Sequence, residues 1–290
     1  MDSLHDVTNI FGYQVSCRGI HGDVAQARVF MSAGRNGCYM ACANPHSLVV
    51  ASQDDHFCSS LKEANLLLPD GTGIIVAART LNLPISERVA GFEFFQGLSE
   101  SLAKDGGARY FFLGSSNHVL NLITERLNKE YPEITVCGTY SPPFKSEFSA
   151  EDNAAMVAAI NGARPDVLWV GMTAPKQEKW IREQRGKLQV PFCGAIGAVF
   201  DFYAGTKERS SAVWRRLGLE WLPRFFKEPK RLWERNMKST PIFLWWLARE
   251  KARRVVKSYW LGNKLCEYLS KTAVLDMDKA NSRKLNSETR

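Results

Sequence analysis

The chain has 290 residues, 45% of them apolar and 23% charged, a globular composition that excludes a disordered, collagen-like or membrane-bundle protein. Its formal net charge of +8 is uneven, since residues 1–206 hold 17 Lys or Arg and 21 Asp or Glu, whereas residues 207–264 hold 16 and 5. Six of the eight tryptophans also lie in residues 207–264, so we expect this segment to bind an anionic partner that offers apolar contact.

The N-terminus, the longest apolar run and the cysteines indicate the compartment in which we expect the protein. The N-terminus has no basic stretch followed by an apolar one, and the apolar run 241–248 is far shorter than the ~20 residues that cross a bilayer. We therefore expect neither secretion nor a membrane span, and a cytoplasmic location. Seven cysteines without a Cys-x-x-Cys pair indicate reduced thiols, and the five scattered histidines form no metal motif. No cofactor and no metal are expected.

From about residue 38, short apolar runs alternate with longer helical patterns, which is typical of a Rossmann-like α/β fold with a parallel sheet flanked by helices. The apolar runs predict strands at Cys38–Ala43, Leu66–Leu68, Tyr110–Leu113, Ile134–Cys137, Val167–Val170 and Phe192–Ala195. Apolar residues three and four apart predict helices at Pro45–Leu61, Gly71–Leu81, Phe92–Lys104, Asn117–Lys129, Ala150–Asn161 and Lys176–Arg185. Because such sheets bind ligands beyond the carboxyl ends of their strands, the loops there should hold the site.

The pattern changes after Gly205 to helical stretches rich in Trp and Arg, with expected breaks at Pro223, Pro229 and Pro241. We therefore expect an α/β core at 1–206 and a basic, amphipathic helical appendage at 207–290 that ends in a polar tail. One predicted helical face carries Trp245, Ala248, Ala252, Val256 and Tyr259, and another carries Arg249, Arg253 and Lys257.

The segment LLLPDGTGIIV, residues 66–76, predicts a strand, a turn and a helix. Asp70 would face the cleft, glycines 71 and 73 would let a ligand approach the backbone, and the helix N-terminus would attract an anion. Alternatively, Asp70 is only the helix N-cap. Val76 stands where a dinucleotide fingerprint needs Gly or Ala, which disfavours nicotinamide binding.

Two neighbouring loops offer further polar side chains. Asn44 follows a predicted strand and could bind a sugar or phosphate, or could simply cap the next helix. Arg88 could clamp a diphosphate through paired hydrogen bonds, or could form an ion pair with Glu87 or Glu93. His46 in the first turn of a helix is left out of the predicted mechanism.

Later loops follow strands in the same manner. Lys176 and Gln177 open one predicted helix, Gly197 and Asp201 lie after the last predicted strand, and Gly114 follows another. Each loop could form a wall of a ligand site, although each is also an ordinary turn or helix start. These patterns together predict an α/β enzyme that binds a phosphorylated ligand, and they leave the reaction open.

Read together, the loops resemble the WecG/TagA/CpsF glycosyltransferases, glycosyltransferase family 26. The matching pieces, in chain order, are Asn44, LPDGTG at 68–73, ERVAG at 87–91, PKQE at 175–178, GAIGAVFDFYAG at 194–205 and LEWLPRFFKEPKR at 219–231. The resemblance implies inverting, metal-independent transfer of an N-acetylmannosamine-type or related sugar from a UDP donor to a polyprenyl-diphosphate-linked sugar. Such enzymes build surface polysaccharides at the inner face of the cell membrane.

The resemblance also implies roles for residues. Asp70 matches the proposed general base, Arg88 the group that stabilises the leaving diphosphate, and Gln177 a polar residue that orients substrate. The implied substrate contacts are Cys42, Asn44, Gly71, Thr72, Gly73, Gly114, Lys176, Gly197, Asp201, Arg224, Arg231 and Arg235. The appendage matches one that docks on an anionic membrane surface and completes the site with arginines.

Departures from the family pattern leave several points open. Cys42 stands where many members have Thr, so that a hydroxyl contact is lost or replaced by a thiol, and Ser210 and Ser211 replace the commoner Ala-Pro. The donor sugar, the full acceptor and the possibility of a homo-oligomer remain open. The alternatives are a nicotinamide-dependent oxidoreductase and a nucleic-acid-binding module that uses the basic appendage, although we expect no nucleic-acid partner.

Overall fold

A computed structural model describes residues 6–208, 238–257 and 260 of the chain. The strands are β1 (Val7–Ile10), β2 (Tyr13–Ser16), β3 (Cys38–Ala43), β4 (Leu66–Pro69), β5 (Arg109–Gly114), β6 (Thr135–Tyr140), β7 (Val167–Gly171) and β8 (Phe192–Ala195). The helices are α1 (Gly19–Ser32), α2 (Pro45–Ala51), α3 (Asp55–Lys62), α4 (Thr72–Thr80), α5 (Gly91–Lys104), α6 (Asn117–Glu130), α7 (Ala150–Ala163), α8 (Lys176–Gln184) and α9 (Val199–Ala204). A further helical segment covers residues 238–257.

The six strands β3 to β8 form one parallel sheet in the order β4-β3-β8-β7-β5-β6. The predicted α/β class and its parallel sheet are therefore confirmed. The chain passes from β5 to β6 in one direction along the sheet and from β7 to β8 in the other. In sheets of this kind ligands bind beyond the carboxyl ends of the strands.

Both faces of the sheet are buried, because strand residues alternate between two cores. On one face Trp169, fully buried, packs edge-on against Phe95 with ring centroids 5.1 Å apart and against Tyr110 at 5.7 Å. On the other face Leu168 and Val170 pack among residues of α7 and α8. Fully covered faces of this kind explain why the strands appear in the sequence as short apolar runs.

The N-terminal hairpin β1–β2 was not predicted. Its turn places Phe11 and Gly12 at positive φ, 50° and 91°, and Gly12 N–H donates to Asn9 Oδ1 at 3.0 Å. A bulky aromatic residue rarely takes this conformation, so the usual turn signal is missing. The Phe11 ring packs edge-on against Phe243 at 5.4 Å, a tertiary contact that stabilises the turn.

The single helix predicted at Pro45–Leu61 is wrong, since the segment forms two helices, α2 and α3. Asp54 lies between them in extended backbone, and its side chain accepts a hydrogen bond from Phe57 N–H as the N-cap of α3. An aspartate in this role begins a new helix rather than continuing the old one. Helices α1 and α9 were also missing from the prediction.

The chain divides into two compact units, Met1–Phe243 and Leu244–Arg290. The predicted boundary at 206/207 stays a prediction, and the expected breaks at Pro223 and Pro229 lie outside the described residues. The expected break at Pro241 is wrong, because residues 238–257 are continuously helical through it. Among the described residues, no helix combines the length and the apolar character that crossing a bilayer requires.

Candidate active site

Hydrogen bonds join three of the sequence motifs at the carboxyl end of the sheet. Asp70 N–H donates to Ala43 O at 2.9 Å, which ties the loop after β4 to the end of β3. Val89 N–H donates to Pro69 O at 3.0 Å, which ties the segment 87–91 to the end of β4. Because these bonds lie beside Asn44, Asp70 and Arg88, the backbone holds all three predicted polar residues at one edge of the sheet.

Asp70 is not the N-cap of the helix that follows it. The cap residue of α4 is Gly71, at φ +93°, which has no side chain that could cap the helix. A Cβ added to Gly71 would lie 3.5 Å from Asn44 Cβ, and one added to Gly73 would lie 2.3 Å from Pro45 Cγ. The two glycines therefore let the loop pack closely on the segment after β3, and Asp70 itself is partly exposed.

Asn44 has a structural role whatever else it binds. Its Oδ1 accepts a hydrogen bond from Ser47 N–H at 2.9 Å, and its own N–H donates to Ser47 Oγ at 2.8 Å. This reciprocal pair is a capping box at the start of α2. The helix-cap alternative for Asn44 is thus correct for its oxygen, and the substrate contact stays a prediction.

Arg88 lies against Glu93, with a guanidinium-to-carboxylate distance of 3.8 Å and only 20% of its side chain exposed. The preceding Glu87 points elsewhere, because its Oε1 accepts a hydrogen bond of 2.7 Å from Ile20 N–H at the start of α1. The segment 87–91 is thereby fixed on both sides, to α1 through Glu87 and to β4 through Val89. This frame holds the Arg88 backbone in place.

Cys42 lies in the same region, next to Gly91 of α5. A Cβ added to Gly91 would lie 3.6 Å from Cys42 Sγ, so the glycine leaves room for the thiol. Burial raises the pKa of Cys42 well above its usual range, and the nearby carboxylates of Asp70 and Glu178 raise it further. The thiol is therefore protonated at neutral pH, and its predicted substrate contact remains a prediction.

Gln177 and Glu178 begin helix α8 and are both buried, with 5% and 3% of their surface exposed. Gln177 Nε2 donates to Glu178 Oε1 at 2.8 Å. Gln177 Oε1 and Glu178 Oε2 have no hydrogen-bond partner among the residues that the structure describes. Burial raises the pKa of Glu178 to about 7, although its hydrogen bonds with Gln177 and the backbone favour the ionised form. Glu178 was not singled out in the sequence.

Two further predicted contact residues, Lys176 and Asp201, interact with other residues of the protein. The Lys176 ammonium donates to Lys145 O and lies 3.6 Å over the Phe148 ring. Asp201 pairs with Lys207 at 2.9 Å. These interactions neither require nor exclude substrate, so the predictions for Lys176 and Asp201 stay open.

Two predicted glycines are needed where the backbone comes close to its neighbours. A Cβ added to Gly114, at φ +122°, would lie 2.5 Å from Gly171 O, so this glycine lets the ends of β5 and β7 lie close together. A Cβ added to Gly197, at φ +44°, would lie 3.1 Å from Gln177 Oε1. Gly197 therefore leaves space in front of that oxygen.

A contact that the sequence did not indicate involves His46 of α2. Its Nδ1 lies 2.8 Å from the hydroxyl of Ser239, which is 4% exposed and belongs to the helical segment 238–257. This contact joins the α2 region to a part of the chain nearly 200 residues away.

Four predicted site residues remain. Thr72 is exposed at the start of α4, and the others are Arg224, Arg231 and Arg235. The three arginines lie outside the described residues.

Within the part of the chain that the structure describes, no cluster of three or more His, Cys, Asp or Glu side chains could hold a metal ion. The parallel sheet, with glycine-rich loops at its carboxyl edge and Asn44, Asp70 and Arg88 on neighbouring loops there, defines a protein of the α/β class, in which ligands bind at this edge.

Comparison with known proteins gives the family. The model of the glycosyl transferase WecG/TagA/CpsF family matches residues 8–257, and the chain belongs to this family. It is 27% identical over 228 residues, 79% of this chain and 85% of the relative, to the N-acetylglucosaminyldiphosphoundecaprenol N-acetyl-beta-D-mannosaminyltransferase of Staphylococcus aureus strain MW2. The same enzyme of strain NCTC 8325 / PS 47 matches to the same extent. The chain is thus a glycosyltransferase, which decides against the oxidoreductase and nucleic-acid-binding alternatives.

Proposed function

We propose that the protein transfers a sugar, with inversion and without a metal, from a UDP-sugar to an N-acetylglucosamine unit linked to a polyprenyl diphosphate. The names of the two Staphylococcus aureus relatives support this acceptor and an N-acetylmannosamine-type donor. The observation that carries the proposal is the hydrogen-bonded junction of three loops, which holds Asn44, Asp70 and Arg88 together.

Asp70 acts as the general base in this proposal. Its carboxylate takes the proton from the acceptor hydroxyl as that oxygen attacks the anomeric carbon of the donor sugar. The bond between this carbon and the diphosphate oxygen breaks on the opposite side, so that UDP leaves with the bonding electrons and the configuration inverts. A positioned base of this kind accelerates such a step by about 10² to 10⁴. Partial exposure of Asp70 is consistent with access to an acceptor.

Arg88 and the N-terminus of α4 stabilise the negative charge that develops on the leaving diphosphate. The guanidinium offers paired N–H donors, and the first turn of α4, which follows the cap residue Gly71, adds backbone N–H groups. Asn44 and Gln177 orient the sugars. We expect Arg224, Arg231 and Arg235 to add further positive charge over the diphosphate when the substrates bind.

A substitution at Asp70 tests the proposed reaction. We expect Asp70→Asn to reduce the turnover number by about 10² to 10⁴ because no group then accepts the proton, while UDP binds as in the wild type. The assay follows UDP release from UDP-N-acetylmannosamine in the presence of a short prenyl-diphosphate-linked N-acetylglucosamine. UDP affinity is measured separately by calorimetry.

The matched control is Asp55→Asn, which makes the same chemical change at an exposed aspartate in the first turn of α3. The control should keep wild-type turnover. If Asp70→Asn also transferred sugar at the wild-type rate, another group would have to be the base.

We also propose that the unit Leu244–Arg290 holds the protein on the anionic inner face of the cell membrane. In its helical part, Leu244, Trp245, Val255 and Val256 are between 43% and 67% exposed, and Trp260 is 55% exposed. At 100° per residue, the first four of these residues, from Leu244 to Val256, form an apolar arc of about 120°, with Arg249, Arg253 and Lys257 on one side and Lys251 on the other. An apolar arc with basic flanks suits the interface of an anionic bilayer, where each basic residue contributes about 1 kcal/mol.

Two exposed valines allow a matched test of membrane binding. Val256→Asp places a charge in the apolar arc, whereas Val29→Asp places the same charge on the exposed side of α1, where Val29 is 56% exposed. We expect Val256→Asp to weaken binding to phosphatidylglycerol vesicles in a flotation assay and Val29→Asp to leave it unchanged. Equal binding by both variants would contradict the proposed membrane surface.

A further inference from the structure

Two side-chain oxygens at the start of α8 are buried near the proposed site. Gln177 Oε1 and Glu178 Oε2 lack a hydrogen-bond partner among the described residues, although both side chains are at least 95% buried. Leaving such an acceptor buried and unpaired is costly for a folded protein. Two of them on adjacent residues therefore indicate a place where a ligand supplies the donors.

Other residues of α8 fix this pair in place. Lys179 forms an ion pair with Asp54, and Glu63 accepts hydrogen bonds from Arg182 at 2.7 Å and Arg185 at 2.9 Å, so that the helix is anchored to the two residues that flank α3. Trp180 packs into the core and is 3% exposed. Helix α8 is thus fixed to its neighbours. A shift of the helix that brought the two oxygens to other donors would break these contacts.

Glu178 also determines which way the Gln177 amide points. The 2.8 Å hydrogen bond from Gln177 Nε2 to Glu178 Oε1 engages the amide nitrogen, and the amide group lies against Gly197, whose added Cβ would be 3.1 Å from the oxygen and 3.4 Å from the nitrogen. Gly197 follows β8, which pairs with β3 in the sheet, so the pair lies at the same carboxyl edge as Asn44 and Asp70. The carboxylates of Glu178 and Asp70 also both raise the pKa of the Cys42 thiol.

We propose that Gln177 and Glu178 form a sugar subsite, in which Glu178 orients the Gln177 amide and the two unpaired oxygens accept hydrogen bonds from a sugar hydroxyl or acetamido N–H. This inference rests on the proposed function and adds Glu178 to it as a binding and positioning residue. A hydroxyl suits the subsite because it can donate to an ionised carboxylate and accept from a protonated one. The same chemistry is offered by the donor sugar and by the acceptor sugar.

The test compares three variants of the full chain: Glu178→Ala, Glu178→Gln and Glu183→Ala. Glu183 lies on the same helix and is exposed, so its replacement controls for the loss of a carboxylate from α8. The measurements are KM and kcat for UDP-N-acetylmannosamine and for a short prenyl-diphosphate-linked N-acetylglucosamine, together with the Kd of UDP alone. A rise in KM for the first substrate assigns the subsite to the donor, and a rise for the second assigns it to the acceptor.

We expect Glu178→Ala to raise one of the two KM values by about tenfold or more, since both the carboxylate acceptor and the orientation of Gln177 are lost. UDP affinity should stay within twofold of the wild type. Glu178→Gln should recover only part of the loss, because its amide oxygen can still accept from Gln177 Nε2 and orient that amide, whereas an NH2 group replaces the acceptor Oε2. Glu183→Ala should behave as the wild type.

The subsite is overturned if Glu178→Ala has the same KM values as Glu183→Ala, or if its affinity for UDP falls by the same factor as its affinity for the sugar substrates. It is also overturned if Glu178→Gln is as impaired as Glu178→Ala while both retain the wild-type circular dichroism spectrum. If the wild-type protein transferred no sugar, the proposed function would be wrong, and the subsite with it. If the wild type transferred sugar and Glu178→Ala behaved as Glu183→Ala does, only the subsite would be wrong.

Discussion

The buried carboxyl of Glu178 makes the stability of the protein depend on pH in a way that one substitution isolates. Burial raises its pKa from 4.5 to about 7, so the folded chain binds the proton more tightly than the unfolded chain does. The stabilisation from this proton is fully present below pH 4.5 and is lost as the pH rises through 7. At about 1.4 kcal/mol for each unit of pKa, the free energy of unfolding falls by about 3 kcal/mol over this range.

Glu178→Gln removes the titration and keeps the shape of the side chain. We therefore expect the free energy of unfolding of this variant, minus that of the wild type, to increase by about 3 kcal/mol between pH 4 and pH 8. Urea unfolding followed by tryptophan fluorescence at the two pH values measures this difference, and Glu183→Gln, at an exposed position of the same helix, serves as control. If the difference between Glu178→Gln and the wild type were the same at pH 4 and pH 8, the carboxyl would not be held neutral by burial.

Substitutions at three further positions test the frame around the site, each by urea unfolding at pH 7. Gly194→Ala should lower the free energy of unfolding by about 1 to 3 kcal/mol, because the new Cβ would lie 2.2 Å from the ring of Trp169, which is fully buried and cannot move aside; a neutral result would contradict the packing. Asn44→Ala should cost about 1 kcal/mol through loss of the α2 cap, whereas Asn44→Asp should cost less because its carboxylate still accepts from Ser47 N–H. Glu63→Gln should cost less than about 1 kcal/mol, since its ion pairs with two arginines are about a third exposed, and 1 M NaCl should shrink the effect; a cost that is independent of salt would argue against ion pairing.

The parallel sheet could be predicted because its strands are buried on both faces. Runs such as Val167–Val170 and Phe192–Ala195 are short and apolar, and each is followed by glycine or a polar turn, so the sequence alone indicates where a strand ends. The carboxyl ends of neighbouring parallel strands meet at one edge, and this brings Asn44 and Asp70 together without any knowledge of side-chain contacts.

The hairpin β1–β2 and the break between α2 and α3 could not be predicted in the same way. Phe11 takes a positive φ because a ring more than 200 residues away, Phe243, packs against it, and no local pattern carries that information. Asp54 resembles any polar residue in a helical pattern until its hydrogen bond to Phe57 N–H shows it to be a cap. Tertiary contacts override local propensity in the first case, and cap chemistry does so in the second.

The sequence indicates Gln177 but not Glu178, because a glutamate in the first turn of a helix is ordinarily a solvated residue that stabilises the helix dipole. Only the structure shows that this one is buried beside a second unpaired acceptor. The cost of that burial links the subsite to stability. A sugar that donates hydrogen bonds to the ionised carboxyl would lower its pKa towards the value in the unfolded chain, so bound substrate should flatten the dependence of stability on pH that the free protein shows. Unfolding at pH 4 and pH 8 with and without saturating UDP-N-acetylmannosamine measures this effect for a donor-sugar subsite. UDP alone, which lacks the transferred N-acetylmannosamine, should leave the pH dependence of stability unchanged.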